Sequence, residues 1–196
     1  MKPVEFIARE RVPALHDAFP HAHFYDTSTH APLARDLAYV ENFNLLSPFI
    51  PYGNIPIPGR SSQVSDSVEG VWQGLKIIRG RIDESYFRGK GRQRKGRVQG
   101  HLLGEKKMGY VEARNRIFVP SYAHMLALNQ DPQDLLEQVY DRARADERQF
   151  FFDVDHNPNI SNTNSALAHS SVLVNIINEV LGCSANNSRS RYARHL

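Results

Sequence analysis

The spacing of apolar and polar positions predicts a helix over residues 67–78. When positions are counted at 100° per residue, the polar side chains Glu69, Gln73 and Lys76 fall within about 60° of one another. Five apolar residues form a broad second face, namely Val68, Val71, Trp72, Leu75 and Ile78. An acid, an amide and an amine on one stripe are suited to line a polar pocket.

Two further observations give this helix alternative interpretations. Gly70 and Gly74 lie together on its third face, and each costs ~1 kcal/mol relative to alanine within a helix. The pair therefore indicates close packing of a second backbone or of a ligand. Alternatively, Asp66 at the N-cap and Glu69 three residues later form a capping box, in which case the polar stripe is a solvated face.

Apolar periodicity and turn residues divide the remaining chain into alternating helices and strands. Helices are predicted within residues 1–20, over 122–128, over 131–147 and, buried on most sides, over 166–181 with Gly182 as its stop. Strands are predicted at 21–26, around Ile55 and Ile57, and at 150–154, whereas 110–120 reads as helix or strand that Pro120 ends. This interspersed order predicts a mixed α/β fold, mainly helical with a small sheet.

Composition is that of one packed domain. With 196 residues, 41% of them hydrophobic, the chain is long enough for one sizeable core, predicted over residues 1–183 with a loose basic tail over 184–196. No apolar run approaches the ~20 residues of a membrane-spanning helix, and the N-terminus lacks a signal-peptide apolar region. The single cysteine, Cys183, excludes an internal disulfide, and we expect a reducing, cytoplasmic setting without membrane contact.

Positive charge is concentrated in one glycine-rich segment. The formal net charge is +3 and the isoelectric point about 9.1, yet eight cations crowd the beginning of segment 79–107: Arg79, Arg81, Arg88, Lys90, Arg92, Arg94, Lys95 and Arg97. Such a segment is suited to bind the phosphates of nucleic acid or of a nucleotide. The alternative is a solvated loop whose charge is incidental.

Carboxylates are the main candidates for chemistry. Glu69 on the predicted helix and Asp153 and Asp155 after the Phe-rich strand are able to flank a glycosidic bond, where one activates water and the other supports the transition state. Asn157 and Asn164 in the following loop offer hydrogen bonds to a sugar or base. The same aspartates and asparagines also suit turns and helix caps.

The remaining candidates have weaker signals. Arg114 has the guanidinium geometry for a bidentate phosphate contact, or is surface charge. His169 lies on the last predicted helix, where a satisfied core histidine is the commoner role. His21 and His23 alternate as metal ligands do, but no further ligand follows at metal spacing. Because no nucleotide-binding loop or nucleophile elbow occurs either, we predict neither a metal nor a cofactor.

Three stretches together resemble one known family. Residues 46–49 (Leu-Ser-Pro-Phe), an extended segment ending in Gly59, and the polar stripe of the predicted helix are similar to the NADAR (YbiA-like) N-glycosidase superfamily. Its members carry a Ser-Asn-Phe-type loop and then a helix with Glu, an aromatic residue, Gln and Lys at the spacing of Glu69, Trp72, Gln73 and Lys76. The resemblance spans about residues 42–181, and Pro48 and Gly70 depart from the pattern, so the chain resembles a divergent member.

The resemblance implies hydrolysis of an N-glycosidic bond in a ribosyl-phosphate or ADP-ribosyl substrate, including an ADP-ribosylated base in nucleic acid. It implies that Glu69 is the catalytic acid or base, with Asp153 or Asp155 as a second carboxylate. The expected substrate-binding residues are Ser47, Phe49, Trp72, Gln73, Lys76, Arg114, Asn157 and Asn164. The alternative function is a non-catalytic module that binds ADP-ribose, a nucleotide or nucleic acid through segment 79–107.

Overall fold

The computed structural model of the protein describes residues 4–30 and 32–182. The strands are β1 (Glu5–Phe6), β2 (His23–Asp26), β3 (Val40–Asn42), β4 (Ile55–Pro56), β5 (Val64–Ser65), β6 (Lys76–Ile78), β7 (Val98–Leu103), β8 (Lys106–Met108) and β9 (Gln149–Phe152). The α-helices are α1 (Val12–Ala18), α2 (Val68–Gly74), α3 (Tyr110–Ala113), α4 (Val119–Leu128), α5 (Gln130–Arg144) and α6 (His169–Val180).

The predicted mixed α/β class is confirmed, with more helix than strand among the described residues. Contacts group the chain into two compact units, which are described separately below. Unit 1 comprises the described residues up to 47 and those from 130 onward, and unit 2 comprises residues 48–129. The single predicted domain over 1–183 stays a prediction, and both Cys183 and the predicted tail lie outside the described residues.

Unit 1 is built on a four-stranded parallel sheet in the order β1-β9-β2-β3. Every residue of β9 is buried, as expected for a central parallel strand covered on both faces. On one face Phe150 and Phe152 join a cluster that includes Phe24 and Val40. On the other face Phe151 packs against Tyr25 at a ring-centroid distance of 4.5 Å. The helices α5 and α6 both pack against β9.

Unit 2 combines α2 with two small antiparallel sheets and a long helical segment. The sheets are β6-β7-β8 and the β4-β5 pair. The helical segment runs from α3 through a π-helical turn at Arg114–Phe118 into α4. Ile117 and Val119 are buried. However, Pro120 does not end this element, because it lies directly after the π-helical turn, where the regular helical hydrogen-bond pattern is already interrupted.

The helix predicted over 67–78 is shorter than expected. α2 ends at Gly74, Leu75 is its C-cap, and Lys76 is the first residue of β6. The Leu75 carbonyl accepts from the backbone N–H of Leu102, at 3.0 Å, in β7, so pairing with β7 replaces the last predicted helical turn. This tertiary hydrogen bonding overrides a local periodicity that fits a helix.

The basic segment also differs from the predicted loop. It contains a 3₁₀ helix at Glu84–Phe87 and the β7-β8 hairpin. Elsewhere, the predicted strands near 23 and 150, the edge strand at Ile55 and the role of Gly182 as helix stop, where φ is 68°, are confirmed. None of the helices in the described parts of the chain combines the length and hydropathy needed to cross a membrane.

Candidate functional site

The start of α2 is capped by a different residue from the one predicted. The Ser67 hydroxyl accepts from the Gly70 backbone N–H at 3.0 Å, and the Asp66 carboxylate instead accepts from Gly89 at 2.6 Å. The backbone N–H of Glu69 donates to the Pro48 carbonyl at 2.9 Å. The predicted capping box is therefore wrong, and the Glu69 side chain is available for another role.

The Glu69 side chain belongs to a buried chain of hydrogen-bonded polar groups. The Gln73 side-chain amide donates to Glu69 Oε1, and Lys76 Nζ donates to Gln73 Oε1 at 2.7 Å. The three residues are only 8%, 3% and 6% exposed, respectively. The predicted polar stripe is therefore not a solvated face. The acid, the amide and the amine lie in contact, although Lys76 comes from a strand and not from the helix.

Arg94 joins this chain to the basic segment. Its backbone N–H donates to Gln73 Oε1 at 3.0 Å, so the amide oxygen accepts from both Lys76 and Arg94. The Arg94 guanidinium donates to the backbone carbonyls of Lys76, at 2.5 Å, and Arg81, at 3.1 Å. One residue of the basic segment therefore fixes both the orientation of Gln73 and the path of β6.

Glycines bring the backbone close to this polar chain. A Cβ atom at Gly91 would lie 2.5 Å from the Cβ atom of Glu69, and the Gly91 N–H donates to the Phe49 carbonyl at 3.2 Å. A Cβ atom at Gly70 would lie 2.7 Å from the Tyr86 carbonyl oxygen. Close packing at the paired glycines is confirmed, with the Tyr86 backbone as a neighbour of Gly70, whereas the neighbour of Gly74 is the Phe87 ring and neither a backbone nor a ligand.

Aromatic rings stack beside the polar chain. Trp72 stacks on His101 with a centroid distance of 3.8 Å, and Tyr110 meets both rings edge-on. The Arg114 guanidinium lies 4.9 Å from the Tyr110 ring centre. Neither ring nitrogen of His101, which is fully buried, has a hydrogen-bond partner among the described residues. Burial and then the charge of Lys76 lower the pKa of His101 to about 3, so this histidine is neutral.

Burial also changes the basicity of Lys76. Desolvation is the main cause that lowers the pKa of its ammonium group, and the positive charge of Arg94 acts in the same direction. The negative charge of Glu69 opposes both. A lysine with a lowered pKa next to a carboxylate is a group suited to proton transfer or to anion binding.

A cavity of about 510 Å³ lies in unit 2 where the basic segment folds back on β6. It is lined by five cationic side chains: Arg79, Arg81, Arg94, Lys95 and Arg97. Asp83 and Tyr86 also line it. The volume is within the range of small-molecule pockets, and the cation excess suits an anionic ligand.

Unit 1 carries a separate polar cluster at the carboxyl ends of β2 and β9. His169 Nδ1 lies 3.2 Å from Asp153 Oδ2, and His169 Nε2 lies 2.8 Å from the Thr27 hydroxyl oxygen. The Thr27 and Ser170 hydroxyl oxygens are 2.6 Å apart, and the Ser170 backbone N–H donates to Asp153. Because Asp153, Thr27 and Ser170 are fully buried, these contacts anchor the start of α6 to the sheet.

The other predicted residues of unit 1 shape the loop before α6. Asp155 donates its backbone N–H to Asp153 Oδ1 at 2.7 Å, and burial, followed by the charge of Asp153, raises the pKa of the Asp155 carboxyl. The Asn157 amide donates to the carbonyls of Asn162 and Ser165. Asn164 is exposed. Asn157 therefore has the turn-forming role that was the alternative for these residues.

The predicted site residues fall into both units. Glu69, Trp72, Gln73 and Lys76 are brought together in unit 2, which also contains Phe49 and Arg114. Unit 1 contains Ser47, Asp153, Asp155, Asn157 and Asn164. No group of three or more His, Cys, Asp or Glu side chains within residues 4–30 and 32–182 has a metal-binding arrangement. The pairing of Glu69 with Asp153 or Asp155 stays a prediction.

Sequence reasoning missed three residues next to the polar chain. Arg94 was grouped with the other basic residues, and nothing in the local pattern indicates that its backbone bonds to Gln73. His101 and Tyr110 lie 28 or more positions after Gln73 in sequence and reach Trp72 through the β6-β7 pairing. The local signal for that hairpin was the turn pair Gly104 and Glu105 between its two strands.

Comparison with known proteins assigns the chain to a family. A family model described as "Family of unknown function (DUF6939)" matches residues 8–173, so the chain belongs to this family. No curated protein and no solved structure matches it. The resemblance to the NADAR superfamily is therefore wrong. Its helix motif consisted of four side chains at helical spacing, and the last of them, Lys76, is not on the helix.

Proposed function

We propose that this member of the DUF6939 family binds a phosphate-bearing ligand of nucleotide size in the cavity of unit 2. The observation that carries the proposal is the lining of that cavity, where five cations line a solvent-open volume of about 510 Å³. Arginine side chains contact phosphate through paired charge-assisted hydrogen bonds, and the volume is suited to a compact ligand.

The rigidity of Arg94 supports this proposal. Its guanidinium is held by two backbone carbonyls and its own N–H by Gln73. A pre-oriented cation loses less side-chain freedom when a ligand binds. Arg94 also connects the cavity to the Glu69–Gln73–Lys76 chain, because its backbone N–H donates to Gln73, although these three residues do not line the cavity.

Isothermal titration calorimetry with ADP as the probe tests the proposal. Arg81→Gln and Arg97→Gln each remove a cavity cation, and we expect each variant to bind ADP about tenfold more weakly or worse, the loss of one charge-assisted contact. Arg116→Gln is the matched control, because Arg116 pairs with Glu112 and does not line the cavity. No ADP binding by the wild type, or equal weakening in the control, would overturn the proposal.

Isothermal titration calorimetry also distinguishes a nucleic-acid ligand from a nucleotide such as ADP. If the basic segment binds a polynucleotide, a single-stranded 12-mer will bind more tightly than ADP, and its affinity will fall steeply with added salt. The cavity volume of about 510 Å³, typical of small-molecule sites, favours the compact ligand. A steep salt dependence for the oligonucleotide together with undetectable ADP binding would replace the nucleotide proposal with the nucleic-acid one.

A second candidate function is hydrolysis of an N-glycosidic bond next to Glu69, which is not among the residues that line the cavity. It is favoured by the burial of Glu69 beside Gln73, whose amide also contacts the cavity residue Arg94. In this reaction Glu69 takes a proton from water, and the water oxygen bonds to the anomeric carbon. The carbon–nitrogen bond breaks, its electron pair stays on the base nitrogen, and that nitrogen receives the proton.

Glu69→Gln tests this candidate. The variant keeps the size of the side chain, so we expect ADP binding to be retained and cleavage to be lost. The substrates to compare are an ADP-ribosylated guanine nucleotide and a ribosylaminopyrimidine phosphate, followed by chromatography of the released base. Turnover of either substrate by Glu69→Gln at the wild-type rate would exclude Glu69 as the base.

A further inference from the structure

The cavity of unit 2 contains one acidic side chain among its cations. Asp83 lines it together with Arg81 and Arg94. The Ser85 hydroxyl and backbone N–H both donate to Asp83 Oδ1, at 2.7 and 3.1 Å. These bonds, and then the nearby Arg94 and Arg92, hold the pKa of this carboxyl below its usual value. Asp83 is therefore an anion at neutral pH.

A fixed carboxylate is unfavourable in a site for phosphate alone, because like charges repel. Its second oxygen, Oδ2, accepts no hydrogen bond from any residue within the described part of the chain, whereas Oδ1 accepts two. A carboxylate oxygen in a cavity is an acceptor for hydroxyl or amine donors of a ligand. The ligand that satisfies both Asp83 and the arginines therefore carries hydroxyl groups near its phosphates.

We infer that the cavity selects ribonucleotides, with Asp83 accepting hydrogen bonds from the ribose hydroxyls while the arginines hold the phosphates. This inference depends on the proposed function and narrows it to one substrate class. Two features of the wall support a fixed geometry. Asp83 is the cap of the 3₁₀ helix at Glu84–Phe87, and its backbone N–H donates to the Gly74 carbonyl at 3.0 Å.

Tyr86 completes the wall next to Asp83. The Arg92 guanidinium lies 4.5 Å from the centre of its ring and that of Arg94 lies at 5.9 Å. Cation–π contacts of this kind hold the aromatic ring and orient the guanidinium groups. Asp83 and Tyr86 thus belong to a single ordered turn. A fixed geometry of this kind is needed to distinguish ribose from deoxyribose, which differ by only one hydroxyl.

The test compares ADP with 2′-deoxy-ADP by calorimetry. For the wild type we expect ADP to bind about tenfold more tightly, since a hydrogen bond to a charged group is worth about one such factor. For Asp83→Asn we expect the two affinities to agree within about twofold, because the acceptor Oδ2 becomes an amide donor. Asparagine is an equally good helix cap, so the variant should fold.

Pyrophosphate separates failure of this inference from failure of the proposed function. We expect Asp83→Asn to bind pyrophosphate several-fold more tightly than the wild type, because one negative charge is removed. Glu105→Gln, an equal change of charge at an exposed residue outside the cavity, should change neither measurement. Equal binding of both nucleotides by the wild type overturns ribose selection alone, whereas no binding of ADP or pyrophosphate overturns the proposed function as well.

Discussion

At the scale of single residues, the Gln73 amide connects the polar groups of the candidate site by hydrogen bonds. Its nitrogen donates to Glu69, and its oxygen accepts from both Lys76 Nζ and the Arg94 backbone. The amide therefore bridges a carboxylate and an ammonium group. All these groups are buried or nearly so, and a buried polar network stabilises a fold only when its members are satisfied.

Replacement of Gln73 by leucine tests the cost of breaking this network. Leucine has a similar volume but leaves Glu69 and Lys76 without their shared partner, so we expect the free energy of unfolding to fall by about 3 kcal/mol. Urea denaturation followed by circular dichroism measures this change. Gln93→Leu, at an exposed position, is the control and should change stability by less than about 0.5 kcal/mol. A similar small effect of both variants would contradict the network's importance.

The lowered pKa of His101 predicts how the free energy of unfolding depends on pH. Its pKa is about 3 in the folded protein and 6.5 in an unfolded chain, so the unfolded state binds more protons between these values. The contribution of His101 is therefore complete above pH 6.5 and is lost as the pH falls. Between pH 7.5 and pH 5 the loss amounts to about 2 kcal/mol.

His101→Phe keeps a ring against Trp72 and removes the titrating group. We expect the difference in unfolding free energy between pH 7.5 and pH 5 to shrink by about 2 kcal/mol in this variant. The control is His21→Gln at an exposed position. It should leave the difference in unfolding free energy between pH 7.5 and pH 5 as in the wild type. An unaltered pH dependence in His101→Phe would show that this histidine is not held neutral by burial.

At the scale of elements, α2 is fixed by its contact with the 3₁₀ helix at Glu84–Phe87. A Cβ atom at Gly74 would lie 2.2 Å from the Phe87 ring, and one at Gly70 would lie 2.7 Å from the Tyr86 carbonyl. The two glycines lower the helix propensity of α2, but they allow the segment that forms the cavity wall to pack closely against it. Their spacing on one face follows from this single contact.

Gly74→Ala tests that contact. Although alanine favours a helix by ~1 kcal/mol, overpacking against Phe87 costs more, and we expect a net loss of roughly 1–2 kcal/mol in thermal or urea unfolding. Combining it with Phe87→Leu should cost less than the sum of the two single changes. Gly109→Ala, where a Cβ atom meets nothing within 4 Å, is the control. Strict additivity would argue against the contact.

The start of α6 in unit 1 depends on Asp153 in a similar way. This buried carboxylate accepts from the backbone N–H groups of Asp155 and Ser170 and contacts His169. Asp153→Asn replaces one acceptor oxygen by a donor that faces an N–H group, and we expect a loss of about 3 kcal/mol. Asp17→Asn at an exposed position is the comparison. Equal stability of the two variants in urea would exclude this anchoring role.

At the scale of the whole molecule, the sequence predicted the class and most elements, because long periodic segments carry their own signal. The helix near 131–147, the Phe-rich strand and the final helix are confirmed within a few residues. The proximity of Glu69, Gln73 and Lys76 was also predictable, because these residues are close along the chain.

Long-range contacts account for what could not be predicted. Lys76 forms a strand because β7, more than 20 residues later, pairs with it. Arg94 contacts Gln73 through its backbone, which no side-chain pattern encodes. The NADAR resemblance failed for a related reason, since a few residue types at fixed spacing fit more than one family. The NADAR motif gives no support to the proposed function, which depends on the cavity and its charges.

A structure of the protein crystallised with ADP tests the central claim most directly, because it shows where the phosphates bind. We predict that they lie in the cavity of unit 2, with phosphate oxygens within hydrogen-bonding distance of the Arg81, Arg94 or Arg97 guanidinium groups. ADP bound away from these arginines, or a cavity without ADP at saturating nucleotide, would contradict the claim.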